Sequence, residues 1–208
     1  MILIGQYDSP FVRRVAIALR IYGLEYEHRP WSVFADADAL AAFNPLRRVP
    51  TLLLDDGEAL VESAAILDYL DERAGARALL APGGAERRRQ LFICALATGL
   101  ADKAVSLVYE RLLHDVSSPT WIDRCNLQIG GVLDALDAAR GPAPFWFGDR
   151  ISHADIAVAC ALRFTREAHP ETFDAARWTR LAAHGAKCER LEAFAGVVQP
   201  FSAPPRKS

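Results

Sequence analysis

The chain has four cysteines in 208 residues, Cys94, Cys125, Cys160 and Cys188, with no C-x-x-C pair among them. That scatter excludes a disulfide framework and a zinc-ribbon type of site, and suits small apolar side chains in a reducing compartment. Charge of one sign is also lacking: 24 Lys and Arg against 26 Asp and Glu leave a net charge of −2, so no basic surface calls for nucleic acid or an anionic bilayer. No apolar run approaches the ~18 residues that would span a membrane. The first residues read as a strand and lack a basic n-region with a small-residue cleavage site. Internal repeats and low-complexity tracts are absent. Together these absences point to a cytoplasmic protein with no nucleic-acid or membrane partner. His28, His114, His153, His169 and Glu110 form no metal-ligand or acid–base spacing, so no metal is expected.

What is present is ordinary globular material, 51% hydrophobic and 24% charged, enough for one large domain or two small ones. Ile2, Leu3 and Ile4 make a short apolar run closed by Gly5. Val12, Val15, Ala16, Leu19 and Tyr22 then recur at helical spacing. A strand therefore feeds directly into a helix. Ser9-Pro10 is a helix-start pair, with Ser at the N-cap and Pro at the first helical position, where its missing N–H costs nothing. A hydroxyl is thus placed at the positive end of a helix just past a strand, where α/β proteins bind ligands and anions. Capping alone is the commoner use of such a serine, and these twenty residues leave both uses open.

Farther on, Tyr26 to Trp31 reads as a second strand and Asp36 to Phe43 as a short helix stopped by Asn44-Pro45. Leu52 to Leu54 and Ala59 to Val61 flank Asp55-Asp56-Gly57, a hairpin signal. A helix with Ile66, Leu67 and Leu70 follows from Ser63, with Gly75 as its C-cap. The order βαβ(α)ββα requires a small mixed sheet, because a βαβ unit is parallel and a hairpin antiparallel. Pro82-Gly83-Gly84 marks a linker. Beyond it only helices are expected: Glu86 to about His114, Pro119 to Arg140, and one to about Ala168 opened by a Ser152/Asp155 capping box with an Ile151/Ile156 staple. Shorter helices are expected near 174–184 and 187–195, and Gln199 to Ser208 reads as a loosely held tail.

Four local features in this order resemble the cytosolic glutathione transferases: Tyr-x-Ser-Pro-Phe-x-Arg after the first strand, Asn-Pro-Leu-x-x-Val-Pro before the hairpin, Glu62-Ser63 opening a helix, and the S-x-x-D box. The likeness is nearest to bacterial serine-type members close to the theta and zeta classes, and it covers essentially the whole chain. It implies an α/β N-terminal thioredoxin-like domain over 1–75, a linker over 76–85 and an all-α C-terminal domain over 86–208. It also implies a cis Val49-Pro50 bond, with the Val49 backbone turned outward so that glutathione, an extended peptide, can pair with it as an added strand.

The same likeness implies the site. Ser63 and the free N–H groups of its helix suit the γ-glutamyl carboxylate, Glu62 the α-ammonium, and Arg48, beside Arg47, the glycyl carboxylate. Asp102 is a match for an acidic residue reaching the ammonium from the partner subunit of a homodimer. Ser9 would donate its hydroxyl proton to the glutathione sulfur, since its oxygen can accept a backbone N–H and still donate, and a free thiol with pKa ~8.5 is only slightly ionised at neutral pH. Tyr7 is the runner-up for that role. Phe11, Phe34, Tyr109, Leu113 and Trp121 are candidates for a hydrophobic electrophile pocket between the domains, Phe11 also bordering glutathione. No cysteine occupies the site, which argues against thiol exchange. The activity implied is conjugation of glutathione to small hydrophobic electrophiles, or peroxide reduction with it; the alternative is a weakly or non-catalytic glutathione-binding carrier. Glutathione-dependent isomerisation is more remote, because the Ser-Ser-Cys of zeta-like relatives is replaced here by Ser-Pro-Phe.

Overall fold

The computed structural model describes residues 1–203. Its first part is a four-stranded sheet in the order β2-β1-β3-β4, made of β1 (Ile2–Ile4), β2 (Glu27–Arg29), β3 (Thr51–Leu53) and β4 (Ala59–Val61). β1 runs parallel to β2 with Leu3 opposite His28, and antiparallel to β3 with Leu3 opposite Leu52. β3 and β4 form the expected hairpin, Thr51 opposite Val61. Successive side chains point to opposite faces of a strand. Leu3 and Leu52 accordingly pack on α1 (Pro10–Tyr22) and α3 (Ser63–Ala74), whereas Ile4 and Leu53 pack with Leu40 of α2 (Ala37–Ala41) and with Trp31 and Phe43.

The helical part comprises α4 (Gly84–Leu113), α5 (Pro119–Ala139), α6 (His153–Ala168), α7 (Thr179–Glu189) and α8 (Glu192–Ala195). A 3-10 turn over Gly75–Arg77 leads towards α4, which begins two residues earlier than expected. By length and composition α4 could cross a membrane, its best 18-residue window having a mean hydropathy of 1.7. Asp102 and Lys103 hid that apolarity in the sequence. Here it is a core helix, with Ile93, Ala97, Leu100, Ala104 and Leu107 buried against Ile129 and Leu133 of α5 and Val158 of α6.

The two shorter helices differ from expectation. Asp174 spends its backbone and side chain on a turn, accepting from Trp178 N–H at 3.0 Å and from Ala176 N–H at 2.8 Å. Such local bonding competes with a helix start, so α7 begins only at Thr179. It then continues through Lys187 to Glu189.

Both parts share one core. α1 is buried on nearly every side, between the sheet and Ile156, Ala159 and Cys160 of α6. Arg13 of α1 crosses the junction: its guanidinium donates to both oxygens of Glu189 at 2.6 and 2.8 Å and to the Val197 carbonyl at 2.8 Å. Asp71 is the second tie. It accepts from Tyr22 O–H, from Leu79 and Leu80 N–H at 3.2 and 3.1 Å, and lies 2.9 Å from His153 Nε2. Burial alone would push the Asp71 carboxyl up; the hydrogen bonds and charge from His153, then Tyr22 and Leu79, outweigh it and hold it below the usual carboxylate range. At the start of α6 the Ser152/Asp155 pair is present, Ser152 N–H and O–H both donating to Asp155 at 2.8 and 2.7 Å.

The described part of the tail is pinned rather than loose. Tyr7 N–H donates to Gln199 at 3.0 Å, Phe201 N–H to Glu167 at 2.8 Å and Ser202 N–H to Asp8 at 3.2 Å. The Phe201 ring meets Phe164 edge-on at 5.5 Å. The remainder of the expected tail, 204–208, lies outside the described residues.

Candidate active site

Between the sheet part and α4 lies a cleft of about 620 Å³. Its floor is the turn from β1 into α1. Ser9 is the N-cap of α1 and Pro10 its first residue, as the Ser-Pro pair requires. The Val12 N–H reaches Ser9 Oγ only at 3.4 Å, a long bond, and among the described residues the hydroxyl proton has no acceptor. Ser9 and Phe11 both line the cleft. A hydroxyl free to donate therefore stands at the positive end of a thirteen-residue helix.

The wall beside it is built by the hairpin register. Because Thr51 pairs with Val61, the residues before β3 and after β4 are brought to the same end of the hairpin, where Arg48 reaches Glu62. The Val49-Pro50 bond is cis, and the Val49 N–H and C=O make no backbone hydrogen bond among the described residues. Arg48 and Glu62 form an ion pair at 3.4 Å with both side chains more than half exposed. Glu62 itself has φ 66 and ψ 122, a backbone strain of about 1–3 kcal/mol for a non-glycine residue. It sits immediately before α3, whose first residue, Ser63, is buried and caps nothing. Gly5, with φ +129, makes the close approach possible: a Cβ there would stand 2.5 Å from Val12 Cγ2 and 2.7 Å from Val49 Cβ.

The opposite wall comes from one face of α4, where Asp102, Val105, Ser106 and Tyr109 recur at helical spacing. Phe34, on the loop after β2, meets Tyr109 edge-on at 5.7 Å and so bridges the two walls. Burial pushes the Tyr109 phenol up, Arg48 pulling it down and Asp8 adding to the rise. Phe164 of α6 and the Phe201–Ala203 segment close the far end.

Not every expected residue arrives. The Tyr7 side chain is turned to the other side of β1, stacked on His28 at 3.8 Å and hydrogen-bonded to Tyr26 O–H at 2.8 Å. Tyr7 therefore does not line the Ser9 cleft, and burial and that bond raise its phenol far above the ordinary value. Leu113, at the end of α4, and Trp121, on α5 with Lys103 Nζ 5.3 Å over its ring, do not line the cleft either. Asp102 faces the cleft of its own chain, 3.0 Å from Lys103 Nζ. Glu62, Ser63 and Pro50 stand beside the cleft rather than in its lining. Asp8, Trp31, Val105, Ser106, Phe164 and Phe201 line it unanticipated; only Val105 and Ser106 had a sequence signal, their helical spacing from Asp102 and Tyr109. Among the described residues no group of three or more His, Cys, Asp or Glu side chains is placed to hold a metal ion.

Two family models match, the glutathione S-transferase N-terminal domain over residues 3–78 and the glutathione S-transferase C-terminal domain over residues 119–184. A maleylacetoacetate isomerase from Pseudomonas aeruginosa is 34% identical over 166 residues, 75% of this chain and 77% of that protein. The chain belongs to the glutathione S-transferase family. The uncharacterized GST-like protein YibF of Escherichia coli is 32% identical over 165 residues, covering 79% and 81% of the two chains. A glutathione S-transferase from Methylobacterium radiotolerans, crystallised with glutathione sulfonate, superposes with a TM-score of 0.93 at 28% identity, over 100% of this chain and 98% of that one. The four-stranded mixed sheet followed by helices is thus the fold of this glutathione S-transferase family, a thioredoxin-like part and an all-α part.

Proposed function

We propose that this glutathione S-transferase family member binds glutathione along the Val49 edge and adds its thiolate to small hydrophobic electrophiles in the cleft. The observation that carries this reading is the Ser9 hydroxyl. It faces the cleft with an unassigned proton at the N-terminus of α1, on the side where the Val49 backbone is unpaired. The residues present fit the tripeptide group by group. Val49 offers one N–H and one C=O to a peptide laid alongside as a strand. The first N–H groups of α3 with the Ser63 hydroxyl would take the γ-glutamyl carboxylate. Glu62 would take the ammonium, assisted by Asp102 from its own chain or its partner's, and Arg48 the glycyl carboxylate. The Arg48–Glu62 pair, being exposed, would give up little in exchanging partners.

Ser9 then donates to sulfur and favours the thiolate, the nucleophile of the reaction. Lowering a thiol pKa by about 2 units corresponds to about 2.7 kcal/mol of preferential stabilisation of the anion. Phe11, Phe34 and Tyr109 bound the space for the electrophile. The protein would act in the cytoplasm as a homodimer, consistent with the exposure of Leu91 and Phe92 on α4. The test is steady-state turnover of 1-chloro-2,4-dinitrobenzene with glutathione. A rate above the uncatalysed one that saturates in both reactants supports the reading, and glutathione binding without turnover leaves the carrier alternative.

A second reading, glutathione-dependent isomerisation, is favoured by the 34% identity to the maleylacetoacetate isomerase. It would use the same bound thiolate, adding to and leaving from a double bond. Ser9-Pro10-Phe11 stands where zeta-like relatives carry Ser-Ser-Cys, which weighs against it. Turnover of a maleyl ketoacid without consumption of glutathione would establish it.

A further inference from the structure

The charges lining the cleft are unevenly distributed. Among the described residues its arginines, Arg47 and Arg48, lie on the hairpin wall and are paired, Arg47 with Asp38 at 2.8 Å and Arg48 with Glu62 at 3.4 Å. Asp102 on the α4 wall is matched by Lys103 at 3.0 Å. Asp8 differs. It is the residue before Ser9, half-buried in the cleft lining, and its carboxylate has no cation within ion-pair distance among the described residues; the Ser202 N–H donates to it at 3.2 Å, and the backbone of Ser9 and of Asp8 itself also favours its charged form. Glu167 of α6, whose charge acts on Asp8, is taken up by Arg163 at 2.8 Å and by Phe201 N–H at 2.8 Å. The same lining carries the aromatic residues Phe11, Phe164 and Phe201 together with the uncharged polar residues Gln6, Ser9 and Ser202.

Resting on the glutathione reading above, we infer that Asp8 makes the electrophile end of this cleft select neutral or cationic aromatic acceptors and reject those that carry a carboxylate. The physical reason is like charge in a partly desolvated space. A ligand carboxylate within about 7 Å of Asp8, at an effective dielectric near 20, meets repulsion that lowers its affinity by about tenfold or more. Among the described residues the cations of the lining are Arg47 and Arg48, which pair with Asp38 and Glu62 on the hairpin wall. Burial pushes the Asp8 carboxyl above its ordinary value, against the backbone hydrogen bonds from Ser202, Ser9 and Asp8 itself, with the Glu167 charge adding to the rise.

The discriminating experiment uses two stable conjugates that differ only in charge at the far end of the ring, S-benzylglutathione and S-(4-carboxybenzyl)glutathione. They are titrated calorimetrically at mildly alkaline pH, where Asp8 is ionised. The neutral conjugate should bind about tenfold more tightly than the acid, and the gap should narrow in rising salt. In Asp8→Asn, which keeps an acceptor for the Ser202 N–H, the gap should fall severalfold. Equal affinities in the native protein, a gap insensitive to salt, or a gap unchanged in Asp8→Asn would overturn the inference. If glutathione binds but neither benzyl conjugate does, the inference fails while the glutathione reading stands. If glutathione does not bind either, both fail. The salt series on the native protein decides the matter even where Asp8→Asn does not fold.

Discussion

Replacing Ser9 with alanine removes one oxygen from the cleft, and the structure allows its two effects to be separated. As a cap, the oxygen accepts Val12 N–H at 3.4 Å. A bond this long places the loss of stability at the low end of the about 0.5–2 kcal/mol range for capping residues. As a donor to sulfur, the hydroxyl shares a thiol pKa depression of about 2 units with the N-terminus of α1, which the substitution leaves in place. The expected fall in kcat/KM near neutral pH is therefore about 10- to 100-fold, far more than a lost cap would cause in a protein that remains folded. The assay is the pH dependence of kcat/KM for 1-chloro-2,4-dinitrobenzene, alongside a urea melt. In Ser9→Ala the rising limb should move up towards the ~8.5 of a free thiol, the two enzymes converging at high pH, while Ser9→Thr keeps most of the activity. A Ser9→Ala protein with unchanged turnover and an unmoved limb would refute the assignment, and a matching loss in Tyr7→Phe would transfer the role.

Gly5→Ala should cost at least about 2 kcal/mol in a urea melt, because the added methyl meets Val12 and Val49 at 2.5 and 2.7 Å with φ at +129; glutathione affinity should weaken with it. Asp71→Ala should cost about 3–5 kcal/mol, leaving Leu79 N–H, Leu80 N–H and His153 without their acceptor. Since the folded Asp71 carboxyl lies below its unfolded value, its contribution is present above about pH 4 and is lost as pH falls through the folded value. The gap between native and Asp71→Ala proteins should thus shrink in acid, and a gap independent of pH would count against that linkage. Truncation after Pro200 removes Phe201 from Phe164 and Ser202 from Asp8; it should raise KM for the electrophile severalfold while leaving KM for glutathione nearly unchanged, which initial-rate kinetics would show.

The features legible in the sequence are those set by a few adjacent residues. Ser9-Pro10, Asp55-Asp56-Gly57 and the Ser152/Asp155 box each specify a local geometry whatever surrounds them, and each lies where its chemistry dictates. Phe34 and Tyr109 also face the cleft, because the loop after β2 and one face of α4 both border it. The side on which Tyr7 falls was not legible, since it depends on Tyr26 and His28 being present to receive the ring. Trp121 packs against the helical core instead, and Leu113, the last residue of α4, stands outside the cleft lining. The pinned tail, the Arg13–Glu189 pair spanning 176 residues and the charge at Asp8 depend on contacts between distant segments, for which one chain's periodicity carries no signal.

The account turns on where a thiol comes to rest, and a crystal structure of this protein with glutathione bound measures that directly. It predicts the tripeptide extended along Val49, with sulfur at hydrogen-bonding distance from Ser9 Oγ and the γ-glutamyl carboxylate at the first turn of α3. Sulfur turned away from Ser9, or crystals that remain free of ligand at millimolar glutathione, would contradict it.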